Sequence, residues 1–578
     1  MSDANLIHLV PPAELSDADN LTIFQHIFRR LAAHRNTVEL YAEAEAAYSD
    51  PQDTAHVDLK EDFVREVDVW SQSLLSATWV ACKEPGGGEC PTLDPLSDSS
   101  VADLAPLPAA PLLDQMLNAI LFLSITSSKQ YSARTRAFLS RLGTLDERAI
   151  AATLKNPDAA LHAAEQHVSV DAAKAEHAAR GATLRRVGMG VGALAGGLLI
   201  GVTGGLAAPL VGAGVGAVFG ALGLGGSVVG LLAGGLAGSS VVCAALFGAY
   251  GARSTAQMVE RYTQEVRDLA VLPVGPQRET LAVRLCVSGW LRSREDITAP
   301  WTVFGGDSVD TYALQWEVEV LEKLSAALTT LMKAQAMKYV RAQIIKRTFL
   351  ASLNASLAPL AWLQIGRVVD NPWANAQARA RKTGAVLADL LAARAFGQRP
   401  VSLAGYSLGA AVIWAALEDL ATRPPAQTAH LVEDVFLLGA PVPADPRAWA
   451  AARRVVCGRL VNAYGRDDYV LAVLARASTT RWEVAGLQAV DAMGVENVAS
   501  ADVDGHLQWR AMVGRTLVAC GAPGVDVGEA ERQARETAQA EVQAMSGEDA
   551  DRIIEEGPEG GSADKLLQGA QVDKKPPG

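Results

Sequence analysis

Residues 401–416 read VSLAGYSLGAAVIWAA, and this stretch decides the fold class. Its apolar start predicts a buried strand, and its alanine-rich end predicts a helix. Between them stands Gly405-Tyr406-Ser407-Leu408-Gly409, a Gly-x-Ser-x-Gly pattern. In a tight strand-to-helix turn this pattern exposes the serine hydroxyl at the carboxyl edge of a sheet, where larger residues in place of the glycines would clash. We therefore predict Ser407 as a nucleophile, with an inert serine in a tight turn as the alternative.

Strands and helices alternate on either side of this turn. Two amphipathic helices, 318–350 and 374–395, are predicted before it, and a helix over 410–420 is predicted after it. The alternation predicts an α/β fold built on a doubly wound sheet. The predicted strands are 281–287, 312–316, 401–404, 432–438 and 459–464.

A serine hydroxyl is a poor nucleophile and needs a base. In enzymes whose nucleophilic serine lies in such a turn, the order along the chain is nucleophile, acid, histidine. Only His430 and His506 follow Ser407. The acids between Ser407 and His430 lie on the helix after the turn, where they would point away from the sheet edge. His506 follows a turn-like Asp-Gly pair late in the chain. We therefore predict His506 as the base.

The acid that accompanies the serine and the histidine is expected after a strand that lies between them in the sequence. Strand 459–464 is followed by Asp467 and Asp468. Neighbouring side chains in an extended loop point in opposite directions, so only one of the two reaches the histidine. We predict Asp468 as the acid that orients the imidazole, with Asp467 as the alternative.

Acyl transfer also needs donors for the oxyanion that develops on the carbonyl. One is predicted to be the backbone N–H of Leu408, the residue after the nucleophile. The second is expected in the loop after strand 281–287, where the chain reads Ser288-Gly289-Trp290. The backbone N–H of Gly289 or Trp290 is the candidate, because glycine permits a close approach of the two loops.

A glycine-rich segment precedes the α/β part. Residues 187–252 contain no Asp, Glu, Lys or Arg, and glycines recur every fourth position. That length accommodates two, possibly three, membrane-spanning helices, and the glycine spacing suits close helix packing in lipid. We predict a transmembrane hairpin that turns near Ala208 and Pro209. The alternative is a buried helical hairpin inside a soluble protein, which the helix-weakening effect of so many glycines disfavours.

Charge and cysteine content exclude several classes of function. The 51 Lys and Arg against 64 Asp and Glu give a net charge of −13, which argues against a nucleic-acid partner. The six cysteines are dispersed, so neither a zinc site nor a disulfide framework is predicted, and the N-terminus has no secretory signal. The glycine patterns lack a preceding strand and a following acid, so no dinucleotide site is predicted, and no cofactor is expected. The predicted organisation is a helical region at 1–185, the membrane segment at 186–253, the α/β domain at 254–521 and an acidic, largely disordered tail at 522–578.

Taken together, these features resemble one known family. Over about 150–521 the chain is similar to the DUF726 family, the eukaryotic transmembrane and coiled-coil domain-containing protein 4 proteins and their fungal relatives. The resemblance implies an integral membrane protein with an α/β-hydrolase fold on intracellular membranes such as the Golgi, and it supports Ser407, Asp468 and His506 as the catalytic set. The motifs that carry it are Cys286-Val287-Ser288-Gly289-Trp290, Tyr312-Ala313-Leu314-Gln315-Trp316-Glu317, Gly405-Tyr406-Ser407-Leu408-Gly409, Leu438-Gly439-Ala440-Pro441 and 464–471.

Two hypotheses from different classes follow. The first is a membrane-anchored serine hydrolase that acts on an ester, most readily a lipid ester, with its soluble parts in the cytosol. The second is a membrane-trafficking or scaffold protein that keeps the fold without catalysis. In that case the N-terminal helices and the acidic tail would bind cytosolic protein partners.

Overall fold

The computed structural model describes residues 6–48, 54–167, 226–248, 266–306, 308–333, 372–478, 483–501, 503 and 505–536. Its centre is a seven-stranded sheet with the order β1-β3-β2-β4-β5-β6-β7. The first strand is antiparallel to β3, and all other neighbours are parallel. The strands are β1 (Ala270–Pro273), β2 (Ala282–Val287), β3 (Val309–Gln315), β4 (Val401–Tyr406), β5 (Val432–Leu438), β6 (Leu460–Tyr464) and β7 (Val495–Ala499).

This mixed α/β architecture confirms the predicted class. The five predicted strands are all present, because the buried strands of a parallel sheet are continuous apolar runs that stand out in the sequence. The two outer strands were not predicted. Strand β1 has four residues and ends in Pro273, and β7 carries polar residues on a partly exposed edge. Neither therefore has the apolar run of an inner strand.

Within the ranges given above, fifteen α-helices precede the helical stretch at 527–536, and the helix that follows β4 packs on the helix that precedes β4 and on β4 itself. They are α1 (Asp17–Ala46), α2 (Thr54–Ala81), α3 (Ala110–Ser128), α4 (Ala133–Leu139), α5 (Glu147–Lys155), α6 (Pro157–His167), α7 (Gly226–Ala237), α8 (Ser239–Cys243), α9 (Val318–Lys333), α10 (Ala374–Ala392), α11 (Leu408–Thr422), α12 (Pro425–Thr428), α13 (Pro446–Val455), α14 (Tyr469–Ser478) and α15 (Val513–Ala519).

The N-terminal helices have a hydrophobic core of their own and also pack on the sheet unit, with α1 against α13, α2 against α12 and α4 against β5. Ion pairs cross this contact. Arg136 of α4 donates to both carboxylate oxygens of Glu433 on β5, at 2.8 and 2.6 Å. Arg454 of α13 pairs with Glu45 of α1. The helical region and the sheet unit are thus joined by buried charges.

The end of the glycine-rich segment also packs on the N-terminal helices. Helix α7 and the helical turn from Ser239 to Phe247 meet at a bend of 61°. Leu232 and Leu246 are 0 % exposed in the core that they share with α2 and α3. Within the described ranges, this bent pair and α3 are long and apolar enough to cross a membrane, and more than half of α3 is buried inside the protein. The predicted hairpin turn near 208–209, and the boundaries at 185 and 253, lie outside the described residues.

The chain after the α/β unit begins as packed structure. Val525 bridges to Phe304, and residues 527–536 are helical with Ala530 and Ala534 buried. Gln533 donates to the carbonyl of Pro300 at 3.0 Å. The remainder of the predicted tail, 537–578, lies outside the described residues.

Two buried histidines, at the contact between the N-terminal helices and the sheet unit, should make the stability of the fold sensitive to acid. The loss of water around His34 and His430, together with the charge of Arg134, lowers the pKa of both rings well below the usual value. The unfolded chain binds those protons at about pH 6.5, so stability that is present above this pH is lost as pH falls below it. The double variant His34→Phe/His430→Phe should lose less stability on acidification than wild type. Thermal unfolding between about pH 7 and 5 measures this, and the exposed His8→Phe should behave as wild type.

Candidate active site

The predicted site residues follow four parallel strands. Gly289 comes after β2, Ser407 after β4, Asp468 after β6 and His506 after β7. Because the carboxyl ends of parallel strands share one edge, these loops meet there. Strands β3 and β4 lie on opposite sides of β2, so the chain changes direction between β2 and β4. In open α/β sheets a ligand crevice forms at the carboxyl edge of such a switch point.

Ser407 occupies the strained turn that its motif predicts. Its backbone has φ 53° and ψ −127°, a conformation that side-chain-bearing residues rarely adopt. The glycine two residues later is required by space, since a Cβ on Gly409 would lie 2.0 Å from the carbonyl oxygen of Val287. A Cβ on Gly405 would lie 2.8 Å from Ile413. The turn therefore holds the serine on top of β4 at the start of α11.

Ser407, His506 and Asp468 form one chain of hydrogen bonds. Ser407 Oγ lies 2.5 Å from His506 Nε2, and His506 Nδ1 lies 2.7 Å from Asp468 Oδ2. All three side chains are 0 % exposed. The carboxylate of Asp468 accepts a hydrogen bond from the N–H at His506 Nδ1, which leaves Nε2 as the acceptor for the serine hydroxyl. Asp467, the alternative acid, is exposed and is not part of this chain.

Asp468 accepts two further hydrogen bonds. The N–H of Leu471 in α14 donates to Oδ1 at 3.0 Å. The indole N–H of Trp509 donates to Oδ2 at 2.9 Å, on the oxygen that His506 also uses. Trp509 was missed from the sequence, although a signal was present. His506 and Trp509 are three residues apart in a 3-10 helix, His506–Arg510, where side chains at i and i+3 lie on one face.

The loop after β2 lies directly against the serine turn. A Cβ on Gly289 would lie 2.1 Å from the carbonyl oxygen of Tyr406 and 2.6 Å from the nitrogen of Leu408. Among the described residues, the N–H groups of Gly289, Trp290 and Leu408 have no hydrogen-bond partner. The structure thus brings together the three candidate oxyanion donors and Ser407.

Side chains hold this loop from two sides. The hydroxyl of Tyr406 donates to the carbonyl of Trp290 at 3.0 Å, and burial raises the pKa of that hydroxyl, which keeps its proton. The indole N–H of Trp316 donates to the carbonyl of Ser288 at 3.2 Å, and that of Trp301 to the Ser288 hydroxyl at 3.1 Å. The loop that carries Gly289 is therefore fixed before a substrate binds.

Another aromatic side chain covers the histidine. Trp373, just before α10, is 0 % exposed and meets the His506 ring edge to face, with centroids 6.2 Å apart. In the ranges that the structure covers, no group of three His, Cys, Asp or Glu residues is placed to hold a metal ion.

A serine, a histidine and an aspartate thus form one hydrogen-bonded chain at the carboxyl edge of a mostly parallel sheet. The sequence model of one family, described as "Protein of unknown function (DUF726)", matches residues 182–522. The chain belongs to this family, which confirms the resemblance drawn from its motifs.

Curated relatives extend the comparison. The chain is 40% identical over 341 residues to an uncharacterized membrane protein of Schizosaccharomyces pombe, covering 58% of each chain. It is 38% identical over 332 residues to the transmembrane and coiled-coil domain-containing protein STS1 of Oryza sativa subsp. japonica, covering 56% of this chain and 50% of the relative. It is 33% identical over 285 residues to the probable lipase MIL1 of Saccharomyces cerevisiae, covering 48% and 26%.

These alignments also set the scale of the similarity. The chain spans 58% of the length of the first relative and 50% of the length of the second. No solved structure matches it. The family model matches 182–522, a range that includes Gly289, Ser407, Asp468 and His506.

Proposed function

We propose that this protein is a serine hydrolase with an α/β-hydrolase fold that cleaves a carboxylic ester. The observation that carries the proposal is the hydrogen-bonded chain Ser407–His506–Asp468, whose serine lies in a strained Gly-x-Ser-x-Gly turn. Its order along the chain is nucleophile, acid, base, as in that fold. A merely structural serine has no need of a left-handed backbone or of a buried histidine at 2.5 Å.

The proposed reaction runs through an acyl-enzyme. Ser407 Oγ attacks the ester carbonyl carbon while His506 Nε2 takes the hydroxyl proton. The tetrahedral intermediate collapses, the bond to the alcohol oxygen breaks, and His506 gives its proton to the leaving alkoxide. A water molecule then attacks the acyl group with His506 again as base, which releases the acid and restores Ser407. Asp468 stabilises the imidazolium throughout and keeps its own charge.

The N–H groups of Leu408 and of Gly289 or Trp290 are the proposed oxyanion donors. They lie side by side at the turn, and none is used by another acceptor among the described residues. Because the loop is already fixed by Tyr406, Trp301 and Trp316, these dipoles need little reorganisation as charge develops on the carbonyl oxygen.

A lipid ester at an intracellular membrane is the proposed substrate. Two relatives are named as membrane or transmembrane proteins and one as a probable lipase, and the chain carries an uncharged glycine-rich segment. We propose that this segment, 186–253, lies between a helical region at 1–185 and a hydrolase domain at 254–521 and forms a membrane-inserted hairpin in its part before residue 226, since 226–248 packs on the N-terminal helices. With an even number of spans, both flanking regions lie on the cytosolic side, on Golgi or other endomembranes.

A fluorophosphonate probe tests the proposal on the full-length, detergent-solubilised chain. The probe phosphonylates activated serines, so wild type should be labelled and the label should map to the peptide that contains Ser407. Ser407→Ala should remain unlabelled while its thermal unfolding stays cooperative. A folded wild-type chain that takes up no label would contradict the hydrolase and favour the non-catalytic scaffold, whose partners would bind through the N-terminal helices or the acidic tail.

A further inference from the structure

The carboxylate of Asp468 is completely enclosed by donors. Oδ1 accepts from the N–H of Leu471, and Oδ2 accepts from both His506 Nδ1 and Trp509 Nε1. The side chain is 0 % exposed, so no solvent supports its charge. Burying a carboxylate destabilises the folded state unless hydrogen bonds compensate for the lost water. Each of these donors therefore bears on how the carboxylate is oriented towards His506.

The indole of Trp509 is fixed in place by two glycines from neighbouring strand ends. A Cβ on Gly439, after β5, would lie 2.3 Å from the Cε2 and Nε1 atoms of the ring, and Gly439 has φ +55°. A Cβ on Gly465, after β6, would lie 3.3 Å from the ring. The two glycines thus leave a slot for the ring at this edge, and Trp509 is 0 % exposed. The slot aims the N–H at Asp468.

We propose that Trp509 is a positioning residue of the hydrolase, which holds Asp468 Oδ2 in line with His506 and shares the charge of that oxygen. The inference rests on the proposed function, because positioning has meaning only if the histidine acts as a base. Trp509 touches no reacting atom. It acts through the acid, as the partners behind a metal-bound histidine do in metal sites.

Removing the indole N–H should have two consequences that a simple loss of folding would not produce. The carboxylate loses one anchor and can turn about its terminal torsion, which weakens the orientation of His506 and slows acylation. The charge on Oδ2 is then shared with one donor fewer, so it stabilises protonated imidazole more strongly. The acid limb of the rate profile should therefore move to higher pH.

The test compares Trp509→Phe with wild type and with Trp449→Phe, by the rate of fluorophosphonate labelling between about pH 5 and 9. Trp449 is a matched control, since it is buried and its indole N–H donates to the carbonyl of Pro443 at 2.9 Å, away from the site. In Trp509→Phe, labelling should be about 10- to 100-fold slower, the effect of one hydrogen bond to a charged group. Its acid limb should lie at higher pH, whereas Trp449→Phe should keep the wild-type profile.

A second variant separates the hydrogen bond from the packing of the ring. Site-specific replacement of Trp509 by benzothienylalanine keeps the shape of the ring and puts sulfur in place of the N–H, so it should reproduce the slow, shifted profile. If it labels with the wild-type rate and pH profile, the inference is wrong, although the hydrolase proposal stands. If wild type is not labelled at Ser407 at all, the proposed function and this inference both fall.

Discussion

Replacing Asp468 by asparagine should slow fluorophosphonate labelling of Ser407 by about 10⁴-fold, the loss that follows removal of the acid in a serine triad. The asparagine fits the same volume but presents an amide that donates as well as accepts. Towards His506 Nδ1, a donating amide favours the tautomer whose proton is on Nε2. That nitrogen can no longer accept the proton of Ser407, from which it is 2.5 Å away.

Asp467→Asn is the matched control, since the two acids are neighbours and only Asp468 is buried against the histidine. Its labelling rate should equal that of wild type. A large loss in Asp467→Asn with little change in Asp468→Asn would reverse the assignment of the acid. If both variants were labelled at the wild-type rate, neither acid would have a role in the proposed mechanism.

The second large effect is expected on stability. Arg136 is 17 % exposed and lies between Glu147 of α5 and Glu433 of β5, which are 4 % and 5 % exposed. It donates to both carboxylates, at 2.6 and 2.9 Å to Glu147 and at 2.8 and 2.6 Å to Glu433. Arg136→Met leaves two buried carboxylates without their cation. Breaking such a pair costs about 3–5 kcal/mol, which should appear as a lower midpoint of urea unfolding.

The pH dependence identifies the cause of that loss. Protonation neutralises a stranded carboxylate, so the deficit of Arg136→Met should shrink as the pH is lowered. Lys323→Met is the control, because Lys323 pairs with Glu319 on an exposed helix face and should change the midpoint little. A deficit in Arg136→Met no greater than in this control, or equal at all pH values, would show that the buried pairs do not join the two units.

The fold was predictable where local chemistry decides it. The turn at Ser407 follows from a strand, a helix and two glycines within a few residues, and the carboxyl ends of parallel strands then determine where an acid and a histidine must come. Which of the adjacent Asp467 and Asp468 contacts the histidine could be determined only from the structure, since both are aspartates. Here the geometry groups Asp468 with His506, at 2.7 Å.

What could not be predicted depends on contacts distant in sequence. Arg136 and Glu433 are 297 residues apart, and nothing local to either tells which charge will be buried against it. The role of Tyr406 was equally hidden, because its motif position tolerates many residues and its bond to Trp290 spans 116 residues. Trp509 is an intermediate case, since its spacing from His506 is local but the glycine slot that aims it is built from two other strands.

The enclosure of Ser407 and His506 separates access from chemistry. Because both side chains are 0 % exposed, the proposed reaction would require a transient opening before an ester could reach them. The population of that open state multiplies the apparent affinity for any substrate, whatever its chemistry. A membrane, a partner or a ligand that favours opening would thus accelerate the protein without touching a single reacting atom.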